Sequence, residues 1–379
     1  MAKPYAYDTS TDALLRPARN AVFFDEWTPA DYENHNLLCA EMSRLAYASQ
    51  DVVRKSLNNA EFTSVDFIGG DDLGSRANTG GTQAFVASSE IQGVTILAFR
   101  GTESDSPEDV ITDLLTFPAP SRWDNCRVHG GFANRYGRVA DKVKSALEKI
   151  EGSLLITGHS LGAALATLAA VDAHPEKLIT FGSPLVGDPQ FCRLLNGTEV
   201  HRFVDCCDVV TRVPPARFDQ PHLLKLLKEL TVFDKGTTPT ALGAELAHKA
   251  AEIALELAAA TIAMAFNLVD KNIEFAHVSS PRYILADGSV VEGISDVDIA
   301  RDQSTARLKY PHRFTAARFT EFLAGFSKLA GIGRGDMPHT LAQHLSHFLG
   351  IGQVPSRDLA DHAPINYLSA LSGRSRDPK

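Results

Sequence analysis

The period of the apolar residues changes several times along the chain, and each change predicts an element. Leu154-Leu155-Ile156-Thr157 is a short apolar run with a β-branched end, the pattern of a buried strand. From Ser160 the chain turns rich in Ala and Leu, which favours helix. Further strand-like runs follow at Leu178–Phe181 and Val200–Val204. Upstream, Thr82–Ser88 and Val94–Phe99 flank a polar stretch and predict a hairpin. Residues 31 to 50 carry apolar side chains at helical spacing, and Gly137–Ile150 reads as an amphipathic helix rich in Lys, Arg and Glu. Strands alternating with helices predict a mostly parallel central sheet covered by helices on both faces. Phe275–Val278 and Arg282–Leu285 predict a later hairpin, with Asp287-Gly288 near its end.

Two stretches exceed such a sheet. The first, about 217–272, contains an Ala-rich helix from Pro239 to Phe266 whose charges at Glu245, Lys249, Glu252 and Glu256 mark one flank. Its uncharged run from Leu257 to Val269 is too short to span a membrane. It reads as a docked helix or helical hairpin, with an interfacial helix in transient contact with lipid as the alternative. The second, about 314–352, reads as short amphipathic helices separated by Gly-rich turns. The expected organisation is one domain over residues 1–379 carrying these two helical insertions.

Composition narrows the partners. With 44% hydrophobic and 22% charged residues the chain has an ordinary globular balance. A net charge of -9 argues against nucleic acid and gives no long-range attraction to anionic lipid. Met1–Ser10 has no apolar core of a secretory signal, so cytoplasm is the default compartment, with signal-less export as the alternative. The five cysteines (Cys39, Cys126, Cys192, Cys206, Cys207) are irregularly spaced with no C-x-x-C, which points to reduced thiols and not to a disulfide framework or zinc site.

The candidate chemistry centres on Gly158-His-Ser-Leu-Gly162, set between the Leu154 strand and the Ala-rich helix. A serine at a sharp strand-to-helix turn is a nucleophile elbow. Its hydroxyl needs a neutral imidazole to take its proton and a carboxylate to orient that imidazole. In sheet hydrolases the order along the chain is Ser, acid, His. Asp205 and Asp208, where the Val200 strand exits toward Pro214-Pro215, are the acid candidates, and pattern does not choose between them. Asp188 and Asp298 lie in turns that no strand feeds. For the base, His35 and His129 precede Ser160, and His159 sits in the elbow pointing away from the serine. His339, His344 and His347 read as the polar face of a helix, without a metal-ligand pattern. His277, mid-strand, and His362, in a polar loop before a helix, remain, and the loop position favours His362. Oxyanion donors are expected at Leu161, next to the nucleophile, and in the turn after Ile96–Phe99, where Gly101 permits close approach and Thr102 can brace the loop. Val110, Ile111, Leu114 and Leu115 form an apolar stripe after Pro107, either a packed helix or a lid over an acyl site.

Five ordered motifs, Phe99-Arg-Gly-Thr102, Val128-His-Gly-Gly-Phe132, Gly158-His-Ser-Leu-Gly-Ala-Ala-Leu-Ala166, Thr180-Phe-Gly-Ser-Pro184 and Asp208-Val-Val-Thr-Arg-Val-Pro-Pro215, resemble the class 3 lipases. These are α/β-hydrolases that include fungal triacylglycerol lipases and plant acyl-lipid hydrolases. The resemblance covers about Asn34–Pro215 and is looser at Ala276-His-Val278 and Asp361–Leu368. It implies Ser160 as nucleophile, Asp208 as acid, His362 as base, Thr102 and Leu161 as oxyanion donors, and neither cofactor nor metal. It places His277 outside the triad and gives His129 and Gly130 a structural part. Val110 stands where the family commonly has tryptophan, Thr211 replaces a proline, Ser279 a glycine, and the 217–272 insertion has no obvious fungal counterpart. The expected activity is a serine carboxylester hydrolase cleaving acyl-lipid esters such as acylglycerols. The alternatives are a phospholipase A-type or short-chain esterase, or a non-catalytic interaction protein of the same fold. Lipid or small ester is the expected partner, and oligomeric state is left open.

Overall fold

The computed structural model describes residues 5–19, 21–69, 82–102, 118–123, 125–148, 150, 152–217, 219–230, 256, 259–260, 263, 274–309 and 357–373. Ten strands lie in these residues: β1 (Ser64–Gly69), β2 (Thr82–Ser89), β3 (Val94–Phe99), β4 (Pro118–Pro120), β5 (Arg127–His129), β6 (Ser153–His159), β7 (Lys177–Phe181), β8 (Glu199–Asp205), β9 (Pro281–Ile284) and β10 (Val290–Glu292). Eight form one sheet in the order β1-β2-β3-β6-β7-β8-β9-β10. Its middle, β3 through β9, is parallel, and antiparallel strands close both ends. This is the mostly parallel sheet that the strand–helix alternation predicts, in the α/β-hydrolase arrangement that the resemblance implies. β4 and β5 form a separate two-stranded ribbon.

Strands buried on both faces must be apolar at every position, and β3 shows it. All six of its residues are buried. Leu97 and Phe99 face one core with Ile156, Leu178 and the helix Leu161–Ala173. Ile96 and Ala98 face the other with Leu155, Ile179, and Leu38, Met42 and Leu45 of the helix His35–Leu45. The helix after Ser160 is buried from Leu161 to Val171, so it is apolar all round and not amphipathic. Truncating one of its leucines, such as Leu165, removes on the order of 2–5 kcal/mol. Gly162 allows this helix to start against the sheet: a Cβ there would lie 2.4 Å from the carbonyl oxygen of Phe99.

Register brings the chemistry to one edge. Phe99 pairs with Gly158, His159 with Phe181, and Phe181 with Phe203, so the C-terminal ends of β3, β6, β7 and β8 are level. The turns that leave them carry Thr102, Ser160 and Asp208 to the same rim, where open parallel sheets place ligands.

Three expectations change in detail. The helix over residues 31–50 resolves into Pro29–Glu33, His35–Leu45 and Gln50–Asn59, with the Asn34 side chain capping the second. The helix placed at Gly137–Ile150 is Ala140–Leu147, and a separate helix, Gly130–Gly137, precedes it. His129 caps Gly130–Gly137 by accepting from Phe132 N, so the His-Gly-Gly motif is a helix start. The predicted hairpin also shifts. Phe275–Val278 contributes one single bridge, Ala276 to Gly187, with Glu274 just before it bridging Arg217, while β9 pairs with β10 through Asp287-Gly288. The left-handed φ of Gly288 (91°) turns the chain there, and Pro281–Ile284 is taken up as the last parallel strand on β8.

The helix Gln220–Leu230 begins the first insertion. Most of the rest of it, all of the 314–352 insertion and the apolar stripe after Pro107 lie outside the described residues, as do His339, His344 and His347. Among the described residues no helix is long and apolar enough to cross a membrane. The five cysteines are free thiols, four of them buried.

Candidate active site

Ser160 sits where β6 gives way to the helix Leu161–Ala173, with φ 58° and ψ -128°. A non-glycine residue there costs about 1–3 kcal/mol and persists only when its surroundings fix it. Backbone bonds do so: Ser160 N donates to Phe181 O at 3.0 Å, and Ser160 O accepts from Ala163 N at 3.0 Å and from Ala164 N at 3.3 Å. The residue is 4% exposed.

His362 comes from the turn between the helices Arg357–Ala360 and Pro364–Leu371. Its Nε2 lies 2.8 Å from Ser160 Oγ, and its Nδ1 lies 2.9 Å and 3.0 Å from Asp208 Oδ2 and Oδ1. A carboxylate only accepts, so Nδ1 carries the proton and Nε2 is left to accept from the serine hydroxyl. Asp208 begins the 3-10 turn Val209–Arg212, where its Oδ1 accepts from Val210 N at 2.9 Å. Its Oδ2 also accepts from the Tyr367 hydroxyl at 2.5 Å. Ser160, His362 and Asp208 thus form one continuous line of hydrogen bonds, all nearly excluded from solvent.

The other candidates are accounted for elsewhere. Asp205 is buried three residues upstream, at the end of β8, and its backbone carbonyl accepts from Asp208 N. Asp188 caps the helix Pro189–Arg193, bonding Phe191 N and Arg127 N. Asp298 pairs with Ser295 and Arg301 at the surface. His277 Nε2 donates to Thr211 O at 2.8 Å, and Thr211 Oγ1 donates to Asp208 O, so His277 props the acid loop from behind. Loss of hydration, then the Arg202 charge, hold its imidazole well below the usual histidine range.

Leu161 is the first residue of the helix, whose first-turn N–H groups have no partner within the helix and carry its positive dipole end. Thr102 is half-buried just beyond β3. Between them, Gly101 presses on the elbow: a Cβ there would lie 2.0 Å from the Tyr47 hydroxyl and 2.8 Å from His159 O.

Two tyrosines and the elbow histidine escaped the sequence analysis. His159, the residue before Ser160, is tied to the site by both ring nitrogens. Its Nε2 lies 2.7 Å from His362 O and its Nδ1 lies 2.8 Å from Tyr47 OH. A carbonyl only accepts, so Nε2 carries the proton and Tyr47 donates to Nδ1. Burial, then the neighbouring His362, hold His159 well below the usual range and keep it neutral. The Tyr367 phenol is pushed well above its usual range by burial and then by the Asp208 charge, which keeps it a donor. His159 lies in the elbow motif, but its partners Tyr47 and His362 are far away in sequence, and nothing local marks Tyr47 or Tyr367.

Close by, Cys206 Sγ, Cys207 Sγ and an Asp361 oxygen lie within 4.8 Å of one another, a set that could hold a metal ion. Its chemistry fits a closed core better. Asp361 already accepts from Arg357, Tyr7 and Cys207 N. The Cys206 thiol, hydrogen-bonded to Cys207 and buried, is pushed far above the usual thiol range, whereas a metal needs the thiolate.

Residues 96–218 match the family model described as Lipase (class 3). A lipase of Rhizomucor miehei is 33% identical over 161 residues, covering 37% of this chain and 43% of the relative. A secreted mono- and diacylglycerol lipase of Malassezia globosa is 30% identical over 204 residues, covering 48% and 64%. A chloroplastic phospholipase A(1) of Arabidopsis thaliana is 51% identical over 148 residues, covering 31% and 33%. The chain therefore spans less than two thirds of the length of each. The solved structure of lipase II from Rhizopus niveus aligns with a TM-score of 0.39 at 24% identity, over 50% of this chain and 76% of that one. The cytoplasmic default is overturned by these relatives. The Malassezia globosa lipase is named as secreted, as is a mono- and diacylglycerol lipase of Fusarium solani that is 37% identical over 109 residues, covering 26% of this chain and 32% of that one, while the Arabidopsis thaliana relative is named as chloroplastic; the fungal relatives point to secretion.

Proposed function

We propose that this chain, which belongs to the class 3 lipase family, is a serine carboxylester hydrolase acting on acyl-lipid esters such as acylglycerols. One observation carries the reading: Ser160 Oγ, His362 and Asp208 are joined at 2.8 Å and 2.9 Å, with the serine on a strand-to-helix elbow. Ser160 Oγ attacks the ester carbonyl carbon while its proton passes to His362 Nε2. Asp208 stabilises the resulting imidazolium through Nδ1–H. The charge on the carbonyl oxygen falls to donors at Leu161 and Thr102. Collapse of the tetrahedral intermediate releases the alcohol with the proton from His362 and leaves Ser160 acylated. Water then attacks the acyl carbon, gives a proton to His362, and the second collapse returns the free acid and Ser160. Neither half-reaction consumes a cofactor. The secreted relatives support an extracellular setting for it.

A phospholipid ester is the second reading, supported by the Arabidopsis relative, which has the higher identity over a shorter stretch. Both readings are tested by hydrolysis of p-nitrophenyl esters from acetate to palmitate, of triacylglycerol and of diacyl phospholipid, comparing wild type with Ser160→Ala. Ser160→Ala is expected to lose about 10^5-fold or more in turnover with unchanged circular dichroism. Activity within tenfold of wild type would sink the reading. Preference for long acyl chains on glycerol supports the lipase, preference for phospholipid the second reading, and turnover of short esters alone a narrow-site esterase. Failure of a fluorophosphonate probe to label Ser160 would favour a non-catalytic role.

A further inference from the structure

Two residues stand directly behind the acid–base pair: Cys207 precedes Asp208, and Asp361 precedes His362. Cys207 N–H donates to Asp361 Oδ2 at 2.9 Å. The acid loop and the histidine turn are therefore joined twice, once by the 2.9 Å contact between Asp208 and His362 and once, one residue back, by this bond.

Asp361 is fully buried, and a buried carboxylate is costly unless donors surround it. Arg357 Nε supplies a second donor to Oδ2 at 2.8 Å, one helical turn away on the same segment. The third comes from the far end of the chain: the Tyr7 hydroxyl donates to Oδ1 at 2.6 Å. The Arg357 guanidinium carbon also lies 4.8 Å from the Tyr7 ring centre. The Tyr7 segment is itself tied down by Asn366, whose side chain accepts from Asp8 N and donates to Asp8 O, both at 2.7 Å. Asn366 donates as well to Ala360 O, next to Asp361. The N-terminal segment thus reaches across the back of the histidine turn and completes the cage around Asp361.

We propose that Asp361 is a positioning residue that sets His362 against Asp208, and that the N-terminal segment locks it through Tyr7. The inference rests on the hydrolase reading above, because it assigns these residues to the alignment of that reaction's base. Neither residue has a step in the chemistry; they act on the separation and angle of the pair that does.

The test uses the full chain with Tyr7→Phe and Asp361→Asn. Asp361→Asn removes the carboxylate that Arg357 Nε bonds, and misfolding would mask its effect. Tyr7→Phe keeps the ion pair, the charge and nearly the volume, and removes only the hydroxyl bond. Tyr7→Phe is expected to lower kcat about tenfold and Asp361→Asn about 100-fold on a short p-nitrophenyl ester, with KM within about twofold of wild type. The low-field NMR resonance of His362 Nδ1–H is expected to move in both. Val53→Ala, in the far helix Gln50–Asn59, serves as a variant destabilised without touching the cage. It should keep kcat and the resonance at a matched loss of thermal midpoint. Wild-type kcat and resonance in folded Tyr7→Phe, or a kcat loss no greater than that of Val53→Ala, would overturn the proposal. If wild type itself shows no Ser160-dependent turnover, the hydrolase reading fails alone. The resonance needs no substrate, so its shift in Tyr7→Phe still supports the cage and its constancy still overturns it.

Discussion

The elbow that carries Ser160 and the turn that carries His362 are held in place by different physics. The elbow is fixed by backbone bonds to β7 and to its own helix and by apolar burial: β6 lies between β3 and β7, and the following helix is packed on all sides. The histidine turn is fixed by polar bonds to distant parts of the chain, namely Tyr7, Asp8, Cys207 and His159. Apolar packing is robust to small changes because many weak contacts share the load. A polar cage is directional and fails bond by bond, since each buried group left unpaired costs the full loss of its hydration. Alignment of the site should therefore be far more sensitive to single polar atoms around His362 than to single methyl groups around Ser160.

The largest expected effect lies where the two regions meet at Asp208. Asp208→Asn keeps the shape and the bond from Val210 N, but an amide no longer holds His362 with its proton on Nδ1. By analogy with serine-protease triads, kcat should fall about 10^4-fold. Steady-state kinetics on a short ester, alongside Asp205→Asn, would settle the point. A loss below tenfold in Asp208→Asn, with a larger one in Asp205→Asn, would break the assignment of the acid and with it the comparison.

A moderate effect should appear in the pH dependence of stability. His159 bridges the two regions and is held neutral by burial, with its folded pKa well below the unfolded value of 6.5. His277, behind the acid loop, is shifted the same way. Below about pH 6.5 the unfolded chain takes up protons that these folded imidazoles refuse, so the unfolded state gains and stability falls as pH falls. Above that pH their contribution is fully present. The thermal midpoint should therefore decline from pH 8 to pH 5, and His159→Gln should flatten the decline. The glutamine can still donate to His362 O and accept from Tyr47 without titrating. Parallel curves for the two proteins would show that His159 is not held neutral, and would remove it from the bridge.

How much of this was legible follows the same division. β6, the elbow and its helix were plain, because their signal lies within about twenty contiguous residues of strand-like and then Ala-rich sequence. Strand alternation also gave the parallel sheet and its covered faces. The hairpin at Phe275–Val278 was misplaced because an apolar run says nothing about which neighbour will pair with it, and the Gly288 turn decided otherwise. Asp205 and Asp208 could not be separated by pattern. Only the chain's course after β8 shows that one ends the strand while the other caps the 3-10 turn facing His362. Tyr7, Tyr47 and Tyr367 were invisible for the reason that makes the histidine turn fragile. Tyr7 lies 354 residues from Asp361 and Tyr47 lies 112 from His159. A lone tyrosine in a polar stretch carries no mark of its partner.

The smallest effect isolates what the elbow stores. Ser160 holds φ 58° with ψ -128°, outside the left-handed helical basin that other residues occasionally enter, whereas residues 357–372 contain no positive φ. The elbow should carry backbone strain that the histidine turn lacks. Ser160→Ala and Ser160→Gly both delete the nucleophile, so both should be inactive, but only alanine keeps the Cβ that makes this conformation costly. Relief of about 1–3 kcal/mol, less the roughly 0.5–1 kcal/mol of extra chain entropy that glycine loses on folding, leaves Ser160→Gly the more stable by about 1 kcal/mol. In a chain of this size that is a rise in thermal midpoint of about 2 °C. Matched thermal melts of the two variants read it directly. A midpoint for Ser160→Gly equal to or below that of Ser160→Ala would mean that the elbow is not strained, and that apolar packing holds Ser160 without opposing its backbone preference.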